Sequence, residues 1–308
     1  MTQGHLYDLI VVGGGPAGYT AALYGVRAGL DTLVLEKLSA GGQMALTETI
    51  DNYPGYPEGV EGFTLAQTMQ AQAERFGAKT VYTEVESVDL AADPKTLTTS
   101  EGVFTARTVI LATGANPRTL GLPEEAELIG RGVAYCAACD GMFYKGKTVV
   151  VVGGGNTAAA DALLLSRIAG KVHLVHRRDT LRATKIYHEP LEKAPNVTFH
   201  WNSTVEAILH GEKVTGVRLR DTVTGAVTEL PCDAVFVSIG RQPATELVQG
   251  QLALDPGGYV LADETTRTSL PGVFAAGDLR TKPLRQVVTA VADGAVAVQM
   301  AEEYLAGQ

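Results

Sequence analysis

Leu9-Ile10-Val11-Val12-Gly13-Gly14-Gly15-Pro16-Ala17-Gly18 has a counterpart 140 residues on, Val149-Val150-Val151-Val152-Gly153-Gly154-Gly155-Asn156-Thr157-Ala158. Each stretch is a run of apolar, mostly β-branched side chains that stops at a glycine cluster. An uninterrupted apolar run suits a strand buried on both faces, as in a parallel sheet. Each cluster leads into an Ala- and Leu-rich helical stretch (17–28 and 157–169) and then a second apolar run (32–35 and 172–175). The reading is strand–turn–helix–strand, met twice.

The turns carry a chemical signature. Gly13, Gly15 and Gly18 fit Gly-x-Gly-x-x-Gly, and the second copy ends in Ala158, which the pattern allows. The first glycine makes the turn, the second admits a pyrophosphate, and the third lets helix and strand approach. The helix N-terminus then offers free N–H groups to the anion. After the second strand the copies diverge. Glu36 closes it in the first copy, where a carboxylate accepts hydrogen bonds from ribose hydroxyls and repels a 2′-phosphate. That suits FAD or NAD. The second copy has His176 there, followed by Arg177, Arg178 and Arg182. This basic cluster suits the 2′-phosphate of NADPH, or else is a solvated surface.

Each module ends in a later apolar strand, 108–111 before Ala112-Thr113-Gly114 and 234–237 before Ser238-Ile239-Gly240. No third dinucleotide turn follows Pro243. The tail, with Gly277-Asp278 and a helix expected from about Gln286 to Tyr304, is read as returning to the first domain. The expected fold is α/β: two Rossmann-like, FAD/NAD(P)-binding domains of three-layer ββα type, one inserted in the other. The discontinuous FAD domain is read as 1–117 and 246–308, and the NADPH domain as 118–245.

The chain holds three cysteines in 308 residues, Cys136, Cys139 and Cys232, too few for a secreted disulfide framework. This reads as cytoplasmic, with no signal peptide expected. Net charge is −9, which argues against a nucleic-acid partner, and no apolar run approaches a membrane span. Glycine, at 35 residues, exceeds its usual ~7% share, and the excess clusters in turns after apolar runs, as turns near a ligand require. Cys136-Ala137-Ala138-Cys139-Asp140 could be half a zinc site, two inert thiols or a redox disulfide. Zinc lacks a second matching pair, so no metal is expected. A Cys-x-x-Cys thiol of lowered pKa makes a short-loop disulfide. Asp140 is either a turn residue before Gly141 or a general acid for a leaving thiolate. Cys232 reads as structural.

These residues resemble the low-molecular-weight, bacterial-type thioredoxin reductases of the class-II pyridine nucleotide-disulfide oxidoreductase family. The likeness rests on 13–18, Gly41-Gly42-Gln43, Asp51-Asn52-Tyr53-Pro54-Gly55, 112–114, 136–141, 153–158, 176–179, 275–278 and Arg285-Gln286. The resemblance implies a homodimer with FAD in the first domain. To FAD it assigns the turn residues Gly13, Gly15, Pro16, Ala17 and Gly18, then Glu36, Lys37, Gly42, Gln43 and Asn52. Further along the chain it adds Ala112, Gly114, Gly277, Asp278, Arg285, Gln286 and Val287. To NADPH it assigns Gly153, Gly155, Asn156, Thr157, Ala158, His176, Arg177, Arg178 and Arg182. Cys139 would exchange electrons with the flavin, Cys136 would attack the substrate thioredoxin, and Asp140 would be the acid–base residue. The protein-substrate surface would lie near Arg131, Met142 and Phe143.

Departures are Ala138 for a usual Thr, Ala160 for a frequent Glu near the nicotinamide, Leu181 for an aromatic, Met142 for Phe, and Ala244 for Asn. The implied activity is thioredoxin-disulfide reduction by NADPH. Alternatives are a flavin disulfide reductase for another protein carrier, a thiol oxidase, and a flavin redox sensor without turnover. Rotation of the inserted domain on linkers near 115–121 and 241–247 is expected to present nicotinamide and disulfide in turn.

Overall fold

The computed structural model describes residues 4–47 and 49–308. The chain gathers into two compact units, Met1–Asn116 with Gln242–Gln308, and Pro117–Arg241.

The first unit begins with β1 (Leu6–Val12), α1 (Pro16–Arg27), β2 (Thr32–Glu36), α2 (Gly62–Arg75), β3 (Lys79–Tyr82), β4 (Val85–Asp89), β5 (Lys95–Thr99) and β6 (Gly102–Leu111). Its parallel core has the order β3-β2-β1-β6, extended by the antiparallel β5 and β4. The opening run explains itself here. Leu9 and Val11 pack among helical residues such as Ala21 and Ala22, whereas Ile10 and Val12 pack with Leu97 and Phe104. With both faces covered, no position of 9–12 is free to be polar. Each such burial contributes roughly 1.5–3 kcal/mol.

The chain leaves through β7 (Ala115–Pro117) and builds the second unit. This contains β8 (Val133–Ala134), α3 (Ala137–Asp140), β9 (Thr148–Val152), α4 (Asn156–Ser166), β10 (Lys171–Val175), α5 (His188–Lys193) and β11 (Val197–His200). It continues with β12 (Ser203–His210), β13 (Val214–Asp221), β14 (Val227–Pro231) and β15 (Ala234–Val237). A parallel sheet of order β11-β10-β9-β15-β8 lies between two layers. Val149 and Val151 pack with Ala158, Ala162 and Leu165 of α4. Val150 and Val152 pack with Ile208, Val217 and Leu219 of the antiparallel sheet β12-β13-β14. That is the three-layer ββα arrangement.

The chain returns through β16 (Arg241–Pro243), which pairs with β7. Then β17 (Val273–Ala275) adds to β6 in parallel, and α6 (Val287–Ala306) packs on α1. The helices meet closely at Gly294, where a Cβ would lie 2.3 Å from the Ala17 carbonyl oxygen. Each unit closes its own break. In the first, Ala244 N–H donates to Gly114 O (3.0 Å), and in the second Arg118 N–H donates to Gly240 O (3.0 Å). Residues 242–245, read from sequence as the end of the second module, pack with the first unit, where the Thr245 hydroxyl donates to Gly258 O.

Candidate active site

The first glycine turn divides labour between contact and access. A Cβ on Gly13 would lie 2.5 Å from the Ala112 carbonyl oxygen, and one on Gly18 would lie 1.8 Å from Gly13 O. A Cβ on Gly15 would meet nothing nearer than Gly41 O at 4.0 Å. The outer glycines are therefore demanded by packing, and the middle one leaves open approach. Gly15 is the N-cap of α1, Pro16 follows it, and neither a side-chain cap nor an acidic first turn satisfies the free N–H groups. The Glu36 carboxylate reaches back to the turn and accepts the Gly14 N–H (2.5 Å) and the Leu38 N–H (3.1 Å). This geometry fits a dinucleotide, with pyrophosphate at the helix start and ribose hydroxyls at Glu36.

The other flavin candidates converge unevenly. Ala112 and Gly114 follow the C-terminal end of β6, and Ala17 lies under the turn with Gly277, whose own Cβ would be 3.0 Å from it. Asn52 donates to the Gln286 side chain (3.0 Å), and Gln286 caps α6, which starts at Val287. The Gln43 amide donates to Asn116 (3.0 Å), next to Gly42, which opens a short 3-10 helix. The Arg285 guanidinium lies 3.9 Å from the Tyr259 ring centroid and reaches the carbonyls of Asp278 and Arg280. Lys37 is exposed and pairs with Glu84 (2.7 Å).

The second turn repeats the logic. A Cβ on Gly153 would lie 2.4 Å from Ser238 O, whereas one on Gly155 would meet nothing within 4 Å. Ala158 is buried, while Asn156 and Thr157 are exposed at the start of α4. Asn156 accepts the Thr184 N–H (2.8 Å), and the Arg182 and Ala183 N–H groups donate to Gly154 O (2.7 and 3.1 Å). The arginine loop is thus tied to the glycine turn. Arg177, Arg178 and Arg182 are exposed, and no carboxylate of the described residues pairs with them. A 2′-phosphate fits such unpaired guanidinium groups. His176 stands apart from them. It is 4% exposed, and its ring occupies the space a Cβ on Gly154 would need. Burial, then Arg182, Arg178 and Arg177, pushes its pKa down, so it supports the turn as a neutral ring.

Between β8 and β9, Cys136 and Cys139 form a disulfide with α-carbons 5.3 Å apart. Both are half-buried, and Cys136 caps α3, accepting the Cys139 N–H at its Sγ (3.2 Å). Asp140 ends α3, half-buried, and burial pushes its carboxyl up to about 6. Arg131, Met142 and Phe143 are exposed. Cys232 is buried, its thiol pushed up to about 12 by burial and then by Asp233, so it stays a protonated core group. Among the described residues no group of three or more His, Cys, Asp or Glu could hold a metal. No helix among them is long and apolar enough to cross a membrane.

Three buried polar arrangements have no motif in the sequence. Glu125 accepts the Leu120 and Gly121 N–H groups and the Tyr135 hydroxyl (2.8–3.0 Å), bracing the approach to Cys136. Asp161 accepts the Ser238 hydroxyl (2.6 Å) after the C-terminal end of β15. Asp293 gathers Arg280 and Lys282. The one available signal is a charge inside an apolar stretch of helix, as Asp293 is within 287–298 of α6.

Two dinucleotide folds in one chain, one of them carrying a Cys-x-x-Cys disulfide, define a nucleotide-dependent disulfide oxidoreductase. Comparison with known proteins agrees. The family model described as pyridine nucleotide-disulphide oxidoreductase matches residues 7–294. A thioredoxin reductase of Treponema pallidum is 48% identical over 299 residues, 97% of each chain. One from Streptomyces clavuligerus is 50% identical over 303 residues, 97% of this chain and 94% of that one. The crystal structure of thioredoxin reductase from Streptococcus pyogenes superposes with a TM-score of 0.92 at 41% identity, covering 99% of this chain and 100% of that one. The chain belongs to the pyridine nucleotide-disulphide oxidoreductase family, which uses FAD and NAD(P)H, and within it to the low-molecular-weight thioredoxin reductases.

Proposed function

We propose that the chain, as a cytoplasmic homodimer, reduces the disulfide of thioredoxin with electrons from NADPH. The observation that carries the reading is the Cys136–Cys139 disulfide, next to half-buried Asp140, in a unit with its own dinucleotide turn. FAD would be held by the Gly13–Gly18 turn, Glu36 and the Gly277-Asp278 segment. NADPH would be held by Gly153, Gly155, the start of α4 and the three unpaired arginines. The chemistry FAD supplies when bound is acceptance of a hydride from NADPH and delivery of two electrons to the disulfide.

The thiols do the rest. Two electrons and two protons convert Cys136–Cys139 to a dithiol. Cys136 gives its thiol proton to solvent and attacks as the thiolate on one sulfur of oxidised thioredoxin, forming a mixed disulfide and expelling a thiolate that Asp140 protonates. The Cys139 thiol, its proton passing to the departing second thioredoxin sulfur, then attacks Cys136 Sγ, re-forming the internal disulfide and releasing dithiol thioredoxin. Neutral Asp140 can protonate the first leaving thiolate because burial raises its pKa to about 6.

The test mixes the flavin-loaded protein with NADPH and oxidised thioredoxin and follows nicotinamide absorbance. Consumption that requires thioredoxin, and is much faster with NADPH than with NADH, is expected. Consumption that follows oxygen instead identifies a thiol oxidase, and no turnover identifies a sensor; either result overturns the reading.

A further inference from the structure

Asp293 sits in the second turn of α6, only 6% exposed. Its Oδ2 accepts from Gly277 N–H (2.9 Å), Arg280 Nε (2.9 Å) and Lys282 Nζ (2.7 Å), and its Oδ1 accepts from Arg280 Nη2 (2.7 Å). Further donors of the two cations are also used. Arg280 Nη1 reaches the Ala262 and Thr281 carbonyls, and Lys282 Nζ reaches Thr289 O. The three charged side chains are at most 9% exposed.

Burying ions costs several kcal/mol each, and apolar side chains of similar volume would serve stability as well or better. A cluster of one anion and two cations therefore calls for a reason other than stability. Burial raises the Asp293 pKa, but Arg280 and Lys282 outweigh burial and hold the carboxyl below its usual range, so it is ionised. What the carboxylate grips is a segment with little ladder of its own. Gly277–Leu279 is a single 3-10 turn, entered at a Gly277 φ of 77° that favours glycine. Gly277 also rests against Ala17 in the first turn of α1. One carboxylate thus fixes the backbone of Gly277 beside the first glycine turn and fixes Arg280 beyond Asp278.

We infer that Asp293, paired with Arg280 and Lys282, is a positioning residue for the flavin: it presets the Gly277-Asp278 segment in its binding conformation before FAD arrives. This rests on the reading that Asp278 belongs to the FAD site. The experiment strips flavin from the wild type, Asp293→Asn, Asp293→Glu and Asp278→Asn, then titrates FAD by fluorescence quenching and records the bound flavin's visible spectrum. Circular dichroism and melting of the apoproteins report folding.

Losing a hydrogen bond to a charged group predicts about 10- to 100-fold weaker FAD binding for Asp293→Asn, with altered fine structure of the flavin band. Asp293→Glu should recover part of the affinity. A folded Asp293→Asn protein with wild-type affinity and spectrum overturns the inference. If Asp278→Asn weakens FAD while Asp293→Asn does not, only the inference fails; if neither does, the site reading fails with it. Should Asp293→Asn not fold, Lys282→Met, which keeps the Arg280 pair, decides. A several-fold loss of FAD affinity is expected, and an unchanged affinity overturns the proposal.

Discussion

Asp140 is the residue whose environment makes the sharpest statement. Its ordinary value is 3.8, and burial raises it to about 6. Below about pH 6 the carboxyl is neutral and, in the role proposed for it, holds a proton for a leaving thiolate; above it that proton is gone. Thioredoxin reduction should therefore slow as pH rises through about 6, by up to tenfold per unit. Asp140→Asn should lower the rate and remove this limb from the rate–pH profile. The stability sign follows from the same shift. A pKa higher in the folded than in the unfolded state favours folding fully below about 4 and loses that contribution as pH rises through 6. Asp140→Asn should thus raise the melting temperature relative to wild type at pH 7 and not at pH 4. The cysteine pair was legible in sequence because its two thiols stand three residues apart on one short stretch. The Asp293 cluster was not. Arg280 and Lys282 look like surface charges in a loop, and their partner is a full helix start away. His176 was legible as part of a basic run but not as the ring packed under Gly154, since burial depends on the turn folding back over it.

At the level of elements, the parallel strands and their glycine turns were readable because 9–12 and 149–152 are covered on both faces and cannot hide a polar residue. The sheet β12-β13-β14 was not assigned to a layer. Its strands bury only scattered residues, among them Ile208, Val217 and Leu219, and nothing local says which sheet they cover. The glycines of the two turns separate packing from access, which gives a paired prediction. Gly18→Ala forces a Cβ to 1.8 Å from a backbone oxygen, so it should cost at least ~2–3 kcal/mol of stability and release flavin. Gly155→Ala meets open space at an ordinary φ of −92°, so its melting temperature should match wild type. Its NADPH dissociation constant should nonetheless rise tenfold or more, because in the proposed site the methyl group would occupy the line of approach to the pyrophosphate. Thermal melts and an NADPH titration read both outcomes.

For the molecule as a whole, Pro117–Arg241 is one continuous segment with its own core, built from Val149–Val152, α4 and the antiparallel sheet. A segment of this size and burial is expected to fold alone. Residues 117–241 expressed by themselves should melt cooperatively, bind NADPH and contain no thiol titratable by a disulfide-blind reagent under native conditions, Cys232 being buried. Non-cooperative melting would show that the core needs its host. The order of modules was legible because the repeat spacing leaves the tail without a turn of its own.

Where the two breaks are closed has a further meaning. Gly114 and Ala244 meet across one hydrogen bond in the host, and Arg118 and Gly240 meet across another in the guest. Excising the guest would leave a gap that a short peptide could bridge, and closing so small a loop costs little entropy. In the reading proposed above, nucleotide preference and thiol reagent thus travel as one heritable cassette, which recombination can lift out or exchange while the host reading frame and its core stay untouched.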